Sequence, residues 1–273
     1  MLDNAEMEKP VISKPLIGVA CAVVIAALGA WYYWHTRSTP APPPVAAAVP
    51  APAVAPPAQE PIQHPLPSSD APKQVLPSLA ESDAPFKEAL AKAAPSSLAQ
   101  YLVPESIIRH IVVTVDNLPR QKLPVEKRPL VPTQGTFLVD GDELHATLDT
   151  ANFQRYQPLV SLIQKADMHE LASLYLQYYP LFQQAYENLG YPNGYFNDRL
   201  VEVIDMLLAT PQITGPIDLV RPNVMYVFAD PTLEARPAGQ KILIRMGSDN
   251  ADALKAKLKE LRAIIAAAPP KRR

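Results

Sequence analysis

The chain is poor in the residues that most catalytic and metal sites need. It contains one cysteine, Cys21, and nine glycines among 273 residues. With that single thiol, thiol catalysis and cysteine-ligated metal are excluded from everything beyond Cys21. No Gly-rich loop ends in Lys-Ser or Lys-Thr, and neither His-Glu-x-x-His nor Gly-x-Ser-x-Gly occurs, so the phosphate-cradling, zinc-protease and serine-hydrolase signatures are missing. Five histidines are scattered at positions 35, 64, 110, 145 and 169. His169-Glu170 has no second histidine at helical spacing and reads as a surface histidine at a helix start. No metal and no cofactor is expected. The formal net charge is −2, which gives no basic excess of the kind that holds nucleic acid, and none is expected as a partner.

Charge is absent in another sense from Leu16 to Trp34, 19 residues without a charged side chain. A helix needs roughly 20 apolar residues to cross a bilayer. Trp31, Tyr32, Tyr33 and Trp34 stand at the far end, where amphipathic rings favour the headgroup layer. That cluster favours an uncleaved span over a leader cut at Ala27-Leu28-Gly29, although the second reading stays open. Lys9 and Lys14 precede the span and only Arg37 follows it before Lys73, which orients the N-terminus to the cytoplasm. The expected placement is a single-pass protein of a bacterial inner membrane, held in the lipid bilayer through residues 16–34. Residues 1–15 are then cytoplasmic and the remainder periplasmic.

Proline, with 32 copies, is abundant, and from 35 to 76 it alternates with alanine and valine. Proline removes backbone donors and disfavours helix in the residue before it, so this stretch reads as a disordered linker. In polyproline II it would extend on the order of 120 Å. From 77 to 266 the composition is globular, enough for one sizeable core, and 267–273 is a basic tail.

Within 77–266 the pattern predicts an α+β fold, predominantly helical, with helices packed around a small antiparallel sheet. Ser82 and Asp83 offer caps to a helix through Phe86 and Leu90. Ile107, Ile108, Ile111, Val112 and Val115 recur at helical spacing and end at Asn117, a residue tolerant of a left-handed cap, with Pro119 beyond. Their β-branched content keeps a strand open as the alternative there. Asp140-Gly141 between apolar runs, and Arg221-Pro222-Asn223 between Ile217–Val220 and Val224–Phe228, read as two hairpins. Helices are expected over 150–165, 167–189, 196–209, 231–246 (stopped by Gly247) and 249–266.

The block Gly190-Tyr191-Pro192-Asn193-Gly194-Tyr195-Phe196-Asn197-Asp198-Arg199-Leu200-Val201-Glu202-Val203-Ile204-Asp205 resembles a bacterial family known as domain-of-unknown-function family 3014. The likeness extends to Val112–Arg120, to Ala238-Gly239-Gln240-Lys241 and to Arg245-Met246-Gly247, covering most of 76–265. It implies a single-span anchor, a Pro-rich linker and a domain without an assigned activity. It brings no catalytic residues to carry over.

The same block holds the best candidate site. Asp198, Glu202 and Asp205 are offset by four and three, so a helix places three carboxylates in one stripe. Such a stripe binds a cation or seats a general acid, or is simply the wet face of an amphipathic helix. Arg199 reads as an ion-pair partner and Asn197 as the helix N-cap. Six of the eleven tyrosines fall between Tyr175 and Tyr195. They form either a platform for glycan or peptide or ordinary core and rim packing. The candidate binding residues are Tyr191, Tyr195, Phe196, Asp198, Arg199, Glu202 and Asp205; none is assigned as catalytic. Residues 129–235 carry four basic side chains against thirteen acids, and 236–273 ten against three. The basic end therefore either packs on the acidic middle or faces anionic lipid or wall phosphate. The leading functional reading is a binding or scaffold module for an envelope protein or the cell wall. Alternatives are an envelope enzyme acting on wall polymer through the carboxylate face, and a periplasmic arm transmitting force or signal.

Overall fold

The largest core is built mainly from helices, with Leu79 and Leu102 added from the connecting segments. The computed structural model describes residues 61–66, 75–142 and 145–266, all within one unit that begins at Ala58. The apolar stretch 16–34, the rest of the linker and the tail lie outside the described residues. Among the described residues no helix is long and apolar enough to cross a membrane.

Helix α1 (Asp83–Ala93), α2 (Ile107–Asn117), α5 (Met168–Asn188) and α6 (Phe196–Leu208) enclose that core. Phe86 stands edge-on to Tyr178 at 5.2 Å and to Phe182 at 6.0 Å, locking α1 onto α5. Such pairs add about 0.5–1.5 kcal/mol to the burial itself. Helix, not strand, wins at 107–117 because Ile107, Ile108, Val112 and Val115 all turn inward at its spacing. The expected caps are differently deployed. Asp83 does not serve its own helix; its carboxylate accepts the N–H groups of Ser106 (2.7 Å) and Ile107 (2.8 Å), capping α2 from 23 and 24 residues away. Asn117 is not left-handed. The left-handed residue is Ser106, at φ 54° before the helix, where those bonds hold it.

Two expected helices are each broken by proline. Residues 150–165 divide into α3 (Ala151–Gln154) and α4 (Gln157–Lys165), with Pro158 in the first turn of the second. Residues 231–246 divide into α7 (Pro231–Glu234) and α8 (Ala238–Arg245) at Pro237. In both places the ring removes the N–H that would continue the ladder. Pro180 does not end α5, since it sits on the exposed side where the released carbonyl meets water. Gly247, at φ +83°, turns α8 into α9 (Ser248–Ile265), and a Cβ there would stand 2.6 Å from the Phe153 ring.

Four strands, β1 (Val139–Asp140), β2 (Ala146–Leu148), β3 (Asp218–Val220) and β4 (Val227–Phe228), form one antiparallel sheet in sequence order. Val139 pairs with Leu148, Ala146 with Leu219, and Leu219 with Phe228. Strand β1 is shorter than the hairpin pattern implied because the buried Asn152 amide takes both main-chain groups of Leu138. It accepts the N–H at 3.0 Å and donates to the carbonyl at 2.6 Å. Such short strands present too little face to organise the domain. The sheet lies to one side over Ala146, Leu148, Leu219, Phe228 and Ile244, and the helices pack on each other rather than around it.

Candidate functional site

Helix α6 gathers the predicted site residues and then distributes them to three separate partners. Its N-cap is Tyr195, so Asn197 lies inside the first turn and is not the cap. Asn197 is instead fully buried. Its Nδ2 donates to the carbonyls of His64 (2.8 Å) and Ile265 (3.1 Å), and its Oδ1 accepts from Tyr175 (3.1 Å). One amide thus ties α5, α6, the end of α9 and the segment 61–66 together.

That segment falls in the stretch assigned by composition to the linker. Both carboxylate oxygens of Asp198 accept its main chain: the N–H of Gln63 at 2.9 Å and of His64 at 2.6 Å. The Tyr195 hydroxyl accepts the N–H of Leu66 at 3.2 Å. Pro65 stands between them with no N–H to satisfy. His64 and Leu66 are half-buried while Gln63 and Pro65 are exposed, and the chain bends at Gln63 and His64, which turns both N–H groups toward Asp198.

Arg199 points to the other side of α6. Its Nη2 donates to the main-chain oxygen of Asp116 (2.8 Å) and lies 3.3 Å from that carboxylate, while its Nη1 reaches Glu202 at 2.8 Å. Burial opposes the Arg199 charge, but the Glu202 hydrogen bond and the Glu202 and Asp116 charges outweigh it and raise its pKa. Asp116 is 2 % exposed and also accepts from Arg120 (2.8 Å) and Tyr191 (3.3 Å). Tyr191 stacks on Tyr186 at 4.6 Å. Burial of Tyr186 pushes its phenol up to about 12.

Asp205 is the third branch. Arg262 of α9 grips both its oxygens, with Nη2 to Oδ2 at 2.8 Å and Nε to Oδ1. That guanidinium holds the Asp205 carboxyl below its ordinary range, helped by the charge on the nearby His64 imidazole. The basic C-terminal segment thus meets the acidic middle at this pair, and again where Lys255 and Lys257 donate to the carbonyls of Thr210 and Ala166.

The three stripe carboxylates therefore do not converge, and among the described residues no three His, Cys, Asp or Glu side chains are grouped to hold a metal ion. Phe196 is 1 % exposed and stacks on Phe182 at 5.8 Å, a core residue rather than a contact surface. Tyr175 and Tyr179 are likewise built into the aromatic layer, their phenols raised well above the usual range by burial. Sequence reasoning missed Asp116, whose available signal was a lone acid in a run of β-branched residues. It also missed Gln63–Leu66, for which composition offered no signal.

The stretches around Val112–Arg120, Gly190–Asp205 and Ala238–Lys241 come together here. The free N–H groups of Ala238 and Gly239 at the start of α8 donate to the carbonyls of Arg120 (2.7 Å) and Leu118 (2.9 Å) beyond α2, and Gln240 donates to the Met206 carbonyl at 2.8 Å. A mostly helical domain with a small antiparallel sheet, its charges paired across helices, is the class these features define. The chain belongs to the family described as protein of unknown function (DUF3014), whose profile matches residues 107–262. No curated protein and no solved structure matches it.

Proposed function

We propose that this chain is a single-pass protein of a bacterial inner membrane whose periplasmic domain is a non-catalytic binding or scaffold module for another envelope component. One observation carries the binding reading: Asp198 spends both carboxylate oxygens on two consecutive main-chain N–H groups of a bent segment remote in the chain, Gln63 and His64. A carboxylate so used recognises a chain and is not free for proton transfer. Glu202 and Asp205 are each held by an arginine, which supports the same reading. The membrane part rests on the apolar stretch 16–34, its terminal aromatics and the lysines before it.

Two measurements test this. Alkaline phosphatase fused after residue 80 in cells is expected to be active, with the mature N-terminus remaining at Met1; a fluorescent cytoplasmic reporter at that position would refute the orientation. In-cell crosslinking through the domain is expected to capture a defined envelope component. A triple substitution Asp198→Asn, Glu202→Gln, Asp205→Asn that stays folded and keeps its capture, yet fails to complement a deletion, would overturn the non-catalytic reading.

A further inference from the structure

We infer that the surface formed by the start of α6 and the end of α9 is a peptide-binding site, filled in cis by Gln63–Leu66, and that a partner's x-His-Pro-aliphatic peptide binds by displacing that segment. The inference rests on the binding-module reading and names its ligand class.

The resident segment is held chiefly through its main chain. Asp198 takes the N–H groups of Gln63 and His64, Tyr195 takes that of Leu66, and Asn197 donates to the His64 carbonyl. Four directional bonds to a backbone fix a main-chain path, bent at Gln63 and His64, without specifying most side chains. Proline at position 65 suits this pattern, because the only residue between His64 and Leu66 is the one whose N–H is not used. Proline also restricts the residue before it and so lowers the entropy lost on docking. Selectivity enters at the two inward positions. The side chains of His64 and Leu66 are the two that turn inward and are half-buried.

The receiving groups are fixed independently of the peptide. Asn197 is anchored by Tyr175 and the Ile265 carbonyl, Tyr195 packs on Tyr179 at 5.5 Å, and Asp198 sits in the first turn of a 13-residue helix, where an anion is favoured. Among the described residues, the segment 61–66 supplies the main-chain donors to Asp198 and Tyr195 from outside the helical body. Eight residues separate Leu66 from Val75, and so short a connection presents the cis segment at an effective concentration on the order of millimolar. A free peptide must compete with that, so the site in the intact chain is partly masked.

The test uses the full chain and a fluorescent peptide of residues 58–70. Gln63→Pro with His64→Pro removes both N–H groups that Asp198 accepts and releases the cis segment without touching the helical core. This released chain is expected to bind the peptide at least tenfold more tightly than the unsubstituted chain, and adding Asp198→Ala is expected to weaken binding at least tenfold again. A released chain that melts cooperatively yet binds no peptide, or binds equally with and without Asp198, overturns the proposal. Should the released chain not fold, amide exchange on the unsubstituted chain decides. Protection at Gln63 and His64 that disappears in Asp198→Ala supports the site, and unprotected amides refute it. A dimer of the unsubstituted chain that dissociates on releasing the segment would refute cis occupancy and place a second copy's segment on that surface. All of these read a purified chain, so their failure leaves the topology and crosslinking results standing, and the converse holds.

Discussion

Arg199 closes the C-terminal end of a helix 83 residues earlier in the chain: its Nη2 donates to the Asp116 carbonyl at 2.8 Å and stands 3.3 Å from the Asp116 carboxylate. The carbonyl is one of those a helix terminus leaves without an internal partner, and the cation also meets the negative end of the helix dipole. The pair is desolvated, with side-chain exposures of 19 % and 3 %. Removing one member leaves the other with a poorer set of partners, Arg120 and Tyr191 for Asp116 or Glu202 for Arg199.

Asp116→Asn and Arg199→Ala are therefore each expected to lower stability by about 3 kcal/mol in urea unfolding. The double variant is expected to lose clearly less than the sum, because both single changes remove the same Asp116–Arg199 interaction. Strict additivity would show that the two residues act independently.

Gly247→Ala is expected to destabilise by at least about 2 kcal/mol. The residue is left-handed at φ +83°, and the added methyl would meet Phe153 at 2.6 Å. The Phe153 carbonyl also accepts from the Asn250 side-chain amide at 2.9 Å, so the residue has little room to retreat. A melting temperature unchanged from that of the parent chain would contradict this.

The Asp205–Arg262 pair predicts a pH and salt dependence. The folded carboxyl is depressed by its hydrogen bond from Arg262. Its contribution is thus fully present above the unfolded value, about 3.9, and is lost as pH falls through the lower folded value. The stability difference between the parent chain and Asp205→Asn is expected to be constant from pH 5 to 7, to shrink toward pH 2, and to diminish in 1 M salt. Both side chains are substantially exposed, so the difference is expected to be small, under about 1 kcal/mol. A difference that grows on acidification would reverse the sign and refute it.

A chain beginning at Val75 is compared with one beginning at Ala58. Both are expected to unfold cooperatively, since the helical core draws nothing from 61–66. The shorter chain is expected to melt several degrees lower, having lost the donors to Asp198 and Tyr195 and one acceptor for Asn197. Identical melting would show that the segment contributes no stability.

Local pattern was a good guide wherever the physics is local. The 3.6-residue recurrence of Ile107, Ile108, Val112 and Val115 placed α2, and Asp140-Gly141, with Gly141 at φ +92°, placed the turn after β1. Pattern overran at Pro158 and Pro237, where counting apolar positions across a proline joined helices that a missing N–H separates. The stripe of Asp198, Glu202 and Asp205 was legible as geometry, since four- and three-residue offsets fix a helix face.

What each of those carboxylates does was not legible, because its partner is remote: His64 lies 134 residues from Asp198 and Arg262 lies 57 from Asp205. Asp83 makes the same point in reverse. It looked like the cap of the helix it begins, and it caps another, because the open N–H groups of Ser106 and Ile107 are brought to it only when α1 and α2 pack. Helix positions, turns and the amphipathic faces follow from spacing along the chain, which backbone geometry enforces residue by residue. Which acid meets which cation, and where Gln63–Leu66 lies, depend on surfaces that exist only once the helices have packed, so tertiary structure alone decides them.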